Sequence, residues 1–189
     1  VTCEKCGVEV IQSRVRRERM AHIELVAPVC HIWYLKGIPS YLGLILDVPV
    51  KDIERVVYFD AYMVVKQGNS PYPVKTLLSS VEYDDYLDAH TNDLEFAAET
   101  GAQAVHTVLK GLNITAELTR LKDMYGKTAS VAVRHKLMRR IKIMSELQQS
   151  GADASWMVMT VLPVLPPDLR PLVPLEGGRF ASSDLNELY

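Results

Sequence analysis

Cysteine is scarce, with three in 189 residues at Cys3, Cys6 and Cys30. The odd count, with two cysteines at a metal-type spacing, argues against a disulfide framework and favours a reducing cytoplasm. Long apolar runs are also missing; none approaches the roughly 20 residues that a membrane-spanning helix requires. The sequence opens on Val1, not on an initiator methionine or a signal peptide, and reads as an excerpt from a longer polypeptide. No Ser-His-Asp arrangement, phosphate-cradling glycine loop or dinucleotide fingerprint is present, and Gly177-Gly178 does not meet the P-loop pattern. The chain is therefore expected to do no bond chemistry of its own. Net charge is −2, so any attraction for phosphate has to be local.

The 48% of hydrophobic residues and 23% of charged ones describe a soluble protein, able to form a core in one domain or two small modules. The informative feature stands at the start. Cys3 and Cys6 are separated by two residues, and Gly7 allows the tight turn that brings both sulfurs to one side of a metal ion. A structural zinc takes four ligands, and Cys30 lies in an apolar stretch without a partner at short spacing. Cys3 and Cys6 thus read as half of a zinc ribbon whose other pair is expected upstream, in a longer polypeptide. The alternatives are two free or buried thiols and, with no thioredoxin-like βαβ pattern around them, a redox pair.

Charge is unevenly placed. Arg14, Arg16, Arg17 and Arg19 follow the cysteine pair, and Arg134, Lys136, Arg139, Arg140 and Lys142 form a second block with no acid among them. Clustered cations attract a phosphate backbone, so Arg139 and Arg140 are candidate nucleic-acid contacts on a solvent-facing arm. The bland alternative is a solvated helix face. Residues 82–99 carry seven acids, including Glu82, Asp84, Asp85, Asp88 and Asp93, and read as a solvated face. His22 and His31 have no acid or nucleophile at a telling distance and read as core or surface histidines.

Periodicity and punctuation predict a helix-rich α+β fold. Residues 8–35 read as short extended pieces. Asp47 is expected to cap a helix carrying Ile53, Val56 and Val57, followed by a strand over Val57 to Val65. Ser79 and Glu82 have capping-box spacing, and a helix runs from Gly101 to Gly111. Ile114, Leu118 and Leu121 mark one arm of a helical hairpin and Leu137, Ile141, Met144 and Leu147 the other, with Gly126 at the bend. The apolar run from Trp156 is β-prone. Pro163, Pro166, Pro167, Pro171 and Pro174 then stiffen the chain, while Val164, Leu165, Leu169, Leu172, Val173 and Leu175 call for burial and argue against a polar linker. Gly177-Gly178-Arg179 reads as a projecting tip that can approach a backbone closely. Ser183 or Asp184 starts a last helix. The parts expected are the ribbon half over 1–20, a mixed segment over 21–112, the hairpin over 113–150, an apolar strand with a proline-rich loop over 156–182, and a helix start over 183–189.

The run Val164-Leu165-Pro166-Pro167-Asp168-Leu169-Arg170-Pro171, with Gly177-Gly178-Arg179-Phe180-Ala181 and Ser183-Asp184-Leu185-Asn186, resembles the largest subunit of multisubunit RNA polymerases. More narrowly it is similar to the N-terminal part of the bacterial beta-prime type. CEKCGVEV, VRRERM, HIEL, HIWYLKGIPS, ILDVPV and DIERVVYF occur in that family's order, so the resemblance covers essentially the whole chain; residues 66–135 match less closely. Ala21 and Glu176 depart from the family's usual glycine and aspartate, and Leu35 to Tyr41 is closer to the cyanobacterial and plastid gamma-type form.

The resemblance implies a clamp module that guides DNA and nascent RNA during transcription, in the cytoplasm (nucleoid-associated) or the plastid stroma. Cys3 and Cys6 would be the second cysteine pair of a structural Zn2+ ribbon. Glu176, Gly177, Gly178 and Arg179 would lie in the lid, where the RNA–DNA hybrid is separated. Asp184, Asn186 and Tyr189 would begin the helices that bind sigma factor. The remaining implied partners are the beta, alpha and omega subunits, template DNA and nascent RNA, with no membrane, and the catalytic Mg2+ is implied only for parts of the subunit outside this sequence. The rival expectation is a stand-alone zinc-ribbon module that binds a protein partner through its hairpin.

Overall fold

The computed structural model describes residues 2–90 and 95–189, which places Asp93 outside the described residues. The fold is mixed α+β with small antiparallel sheets. In chain order its elements are α1 (Val15–Glu18), β1 (Ala21–Cys30), α2 (Ile32–Leu35), α3 (Tyr41–Leu46), α4 (Val50–Val57), β2 (Tyr62–Lys66), β3 (Leu77–Leu78) and α5 (Ser80–Ala89). There follow β4 (Ala97–Glu99), α6 (Gly101–Lys110), α7 (Ile114–Lys127), α8 (Val131–Ser150), β5 (Val158–Val164), β6 (Val173–Pro174), β7 (Phe180–Ala181) and α9 (Asp184–Leu188). β1 pairs with β5 in a two-stranded sheet. The chain divides into two compact units, Val26–Thr160 and Val1–Leu25 with Val161–Tyr189.

The larger unit holds the hydrophobic core. Leu42, Leu46, Ile53, Val56, Met63, Val105, Leu109, Leu121 and Met144 are almost completely removed from water. Cys30 joins them, and burial pushes its thiol up to about 11, so it stays neutral at ordinary pH. A smaller cluster gathers Val64, Leu78, Tyr86, Phe96 and Ala98 beside the sheet β3-β2-β4. That sheet pairs Met63 with Leu77 on one side and with Glu99 on the other, and a bulge falls between Val64 and Lys66.

Local signals explain most helix ends. The Ser79 hydroxyl accepts from Glu82 N at 3.3 Å while Glu82 Oε2 accepts from Ser79 N at 2.8 Å, the reciprocal capping box expected at the start of α5. Asn113 Oδ1 accepts from Ala116 N at 3.0 Å to open α7. α6 begins and ends where its glycines and apolar spacing predict.

Other expectations are corrected. Asp47 does not start a helix; it terminates α3 in the left-handed region at φ 58°, and α4 begins behind Pro49. Cations from other elements satisfy the α3 end, which is what fixes this role. Gly126 lies inside α7 and the hairpin bends at residues 128–130 instead, because Thr128 leaves helical geometry while its hydroxyl donates to Met124 O at 2.8 Å. The run His31 to Leu35 forms a helical turn rather than an extended piece, since the His31 ring accepts from Trp33 N at 3.1 Å and opens α2. The strand expected from Val57 starts at Tyr62, after α4 has run to Val57.

The smaller unit is organised by hydrogen bonds more than by apolar burial: among its described residues only Pro166 is buried. The expected burial of the proline-rich stretch is met in part at Val164 and Leu165, which are half-buried, and fails beyond Pro166. Leu169, Leu172, Val173 and Leu175 are exposed, because the chain turns through a short 3-10 helix at Pro167–Leu169 and then projects as a hairpin.

Candidate nucleic-acid interface

The hairpin is built by β6 and β7, which pair Val173 with Ala181 and Pro174 with Phe180. Leu175 N donates to Arg179 O at 2.7 Å and closes the loop, so residues 176–178 form its tip. Gly177 and Gly178 have φ 81° and 75°, backbone that other residues adopt with strain, and open space surrounds the position of an added Cβ at each. Arg179 is exposed, and among the described residues its side chain makes no ion pair. Leu175 and Phe180 flank the tip and are 52% and 67% exposed, giving it two apolar shoulders. Sequence reasoning misses these shoulders: the apolar character of Leu175 calls for burial, and nothing in the sequence singles out Phe180.

A clasp holds the base of this loop. Arg170 donates from Nε to Leu165 O at 3.0 Å and from Nη1 to Asn186 Oδ1 at 2.8 Å, while Asn186 Nδ2 returns a bond to Arg170 O at 3.0 Å. The Tyr189 hydroxyl donates to Pro163 O at 3.1 Å, and the Arg170 guanidinium lies 5.5 Å from the Tyr189 ring centre. The amide of Asn186 and the hydroxyl of Tyr189, two residues expected to meet a partner, are therefore engaged within their own unit. Asp184 is exposed. The signal that could have revealed the clasp is the i, i+3 spacing of Asn186 and Tyr189 on one face of α9.

The cysteine pair forms a tight turn. Gly7 N donates to Cys3 O and Cys3 N to Val8 O, both at 2.8 Å, Gly7 takes φ 70°, and Thr2 bridges to Glu9. The backbone N–H groups of Cys6 and then Lys5, followed by the Cys6 thiol, point at the Cys3 sulfur and hold its thiol below the ordinary range. Two sulfurs on one side of such a turn fit half of a tetrahedral zinc shell. No group of three or more His, Cys, Asp or Glu arranged for a metal occurs among the described residues. Of the nearby cations, Arg16 pairs with Asp168 at 3.1 Å, and Arg14, Arg17 and Arg19 are exposed.

The second basic run does not form one solvent-facing arm. Arg140 is 2% exposed and bonded through all three nitrogens: Nε donates to Leu44 O at 2.8 Å, Nη1 to Asp47 Oδ2 at 2.8 Å and Nη2 to Glu117 Oε1 at 3.1 Å. Its guanidinium seals the C-terminus of α3, where carbonyls lack helical partners, and its burial keeps it out of reach of a phosphate. Lys136 pairs with Asp47 at 2.7 Å, and Arg134 lies over the Tyr125 ring at 4.6 Å. Hydrogen bonding to Arg120 comes first among the causes that hold the Glu117 carboxyl below its usual range. Arg139 and Lys142 are exposed, with no ion pair among the described residues.

With this geometry in hand, comparison with known proteins decides the lineage. A family model described as RNA polymerase Rpb1, domain 1, matches residues 1–189. The chain belongs to the RNA polymerase Rpb1 domain 1 family. It is 53% identical over its full length to the DNA-directed RNA polymerase subunit beta' of Acinetobacter baylyi, and equally to that of Acinetobacter baumannii. It spans only 13% of the length of each of those relatives. The Rpb1 domain 1 match runs through the cysteine turn, the buried Arg140 and the Gly-Gly tip alike. Among the described residues no helix of this Rpb1 domain 1 chain is long and apolar enough to cross a membrane.

Proposed function

We infer that this chain is a nucleic-acid-guiding part of a DNA-directed RNA polymerase, acting in a clamp-type module through the hairpin at residues 173–181. The observation that carries the reading is the tip itself: a closed two-stranded turn with two left-handed glycines in open space, an exposed arginine and two exposed apolar shoulders. A glycine backbone can come close to a strand, Arg179 supplies a phosphate partner, and Leu175 and Phe180 can stack against bases displaced from a duplex. The clasp of Arg170, Asn186 and Tyr189 keeps the base of the wedge fixed while its tip meets the strands. Glu176, repelled by phosphate, would turn away from them.

In the same reading Cys3 and Cys6 supply two of four zinc ligands, the others coming from elsewhere in the assembly, and the metal would order the turn that presents Arg14, Arg17 and Arg19. The other subunits of a core polymerase and sigma factor are the proposed protein partners, with Asp184, exposed on α9, available to the latter. The test is deletion of residues 176–179 in a polymerase assembled on a subunit that contains this chain. Displacement of transcript from template should fall while nucleotide addition persists. Normal displacement with lost nucleotide addition would overturn the assignment and make the loop catalytic.

A further inference from the structure

The cations of α8 do not share one environment, and the difference points to a second surface. Arg134, Lys136 and Arg140 all have partners within the larger unit, whereas Arg139 and Lys142 have no ion pair among the described residues. These two edge a groove of about 620 Å³ with buried Ile143 and half-buried Leu44 at its floor and the exposed Ile38 and Tyr41 beside them. The volume suits the insertion of one or two large side chains. Ile38 is 101% exposed and Tyr41 40%, so the groove presents apolar surface directly to solvent. An exposed isoleucine alone means little, but one lining a cleft edged by unpaired cations marks an interaction site.

We propose that this groove, between the Ile38–Pro39 segment and α8, docks an acidic protein segment that carries a large apolar side chain. Charge complementarity selects the occupant. Arg139 and Lys142 need carboxylates, and Arg139 can take one through both of its terminal nitrogens. The floor needs an aliphatic or aromatic anchor, which a sugar-phosphate backbone lacks. Glu146 lies at the same groove, so it repels carboxylates there and biases the direction in which the segment lies. The anchor supplies most of the affinity by burial, and the rim charges supply orientation and on-rate. This surface is independent of the hairpin at residues 173–181 and stands or falls separately from it.

The test uses the 189-residue chain and three fluorescent probes: an Asp/Glu-rich peptide with one central leucine, the same peptide with alanine there, and a short DNA duplex. Replacing the leucine by alanine should weaken binding about tenfold, the size expected for burying one such side chain. Arg139→Glu with Lys142→Glu should weaken the leucine peptide about tenfold or more, and Ile38→Ser should weaken it severalfold without changing the charge of the groove. All three positions are at the surface, so each variant should keep the far-ultraviolet circular dichroism spectrum of the parent. Equal affinity for the leucine and alanine peptides would overturn the proposal by reducing the site to charge alone. So would a duplex that binds more tightly than the peptide and loses affinity with Arg139→Glu but not with the uncharged Ile38→Ser, since the cations would then serve phosphate.

Discussion

Replacing Arg140 by alanine should be the most damaging single change to the larger unit outside its apolar core. The guanidinium makes three charge-assisted or carbonyl hydrogen bonds and is 2% exposed. Bonds to charged groups are worth about 1.5–3 kcal/mol each, so a simple sum would reach about 4.5–9 kcal/mol. Two facts lower the figure. Asp47 keeps Lys136 at 2.7 Å, and Glu117 keeps Arg120 at 2.6 Å, so neither carboxylate is left without a cation. What remains uncompensated is the Leu44 carbonyl at the end of α3 and the space left by the side chain. A loss of about 3 kcal/mol follows, at the lower end of what breaking a buried pair costs. With a urea dependence of about 2 kcal/mol per molar, the midpoint should drop by about 1.5 M. Urea titration followed by far-ultraviolet circular dichroism reads the unit directly, because most of the long helices lie in it. Arg139→Ala, one residue away and exposed, is the control and should move stability by less than about 0.5 kcal/mol. Buried pairs are screened little, so the gap between the two variants should survive high salt. Equal midpoints for the two variants, or a gap that closes in salt, would refute the structural role given to Arg140.

Two further outcomes check the same unit. Glu117 is held below its ordinary value of 4.5, first by its hydrogen bond with Arg120, so its stabilising contribution is complete above that value and is lost as pH falls through the folded-state value. Glu117→Gln should therefore flatten the acid limb of the urea midpoint plotted against pH, and an unchanged limb would refute the assignment. Gly101 has φ 74°, and a Cβ there would come within 2.7 Å of the Phe59 ring. The ring is 70% exposed and can swing aside, but the left-handed backbone cannot be relieved that way. Gly101→Ala should thus cost about 1–2 kcal/mol, and combining it with Phe59→Ala should recover little of the loss. Full recovery would assign the cost to the clash instead.

The features legible in the sequence are those decided within a few residues. The capping box at Ser79 and Glu82 and the apolar spacing of α6 act over one or two turns, and both elements stand where they were expected. The tip at Gly177-Gly178 was legible for the same reason, since two glycines ahead of Arg179 make a turn whatever surrounds them. Asp47 was misread because an aspartate before a helix suits a cap from sequence alone, while its actual role depends on Lys136 and Arg140 arriving from α8. The basic run failed likewise. Residue spacing cannot say which of five cations turns inward, because the partners of Arg140 lie 93 and 23 residues away. Leu172 and Leu175 show the opposite error: apolar character called for burial, and the fold supplies nothing to cover them.

That last failure bears on how the hairpin works. The larger unit owes its order to a continuous apolar core, so small changes at its surface leave it intact. The smaller unit has one buried side chain among its described residues, and its loop is fixed by a few hydrogen bonds from Arg170, Asn186 and Tyr189. Segments ordered in this way sit toward the low end of local stability and respond to what binds them. A wedge between strands needs a rigid base and a tip free of internal partners, and the arrangement divides the two by residue. The clasp commits Asn186 and Tyr189 to the base, whereas the side chains of Arg179, Leu175 and Phe180 stay exposed at the tip. The exposed apolar shoulders then follow from the proposed role, because burying them within the chain would leave the tip nothing with which to hold a displaced base.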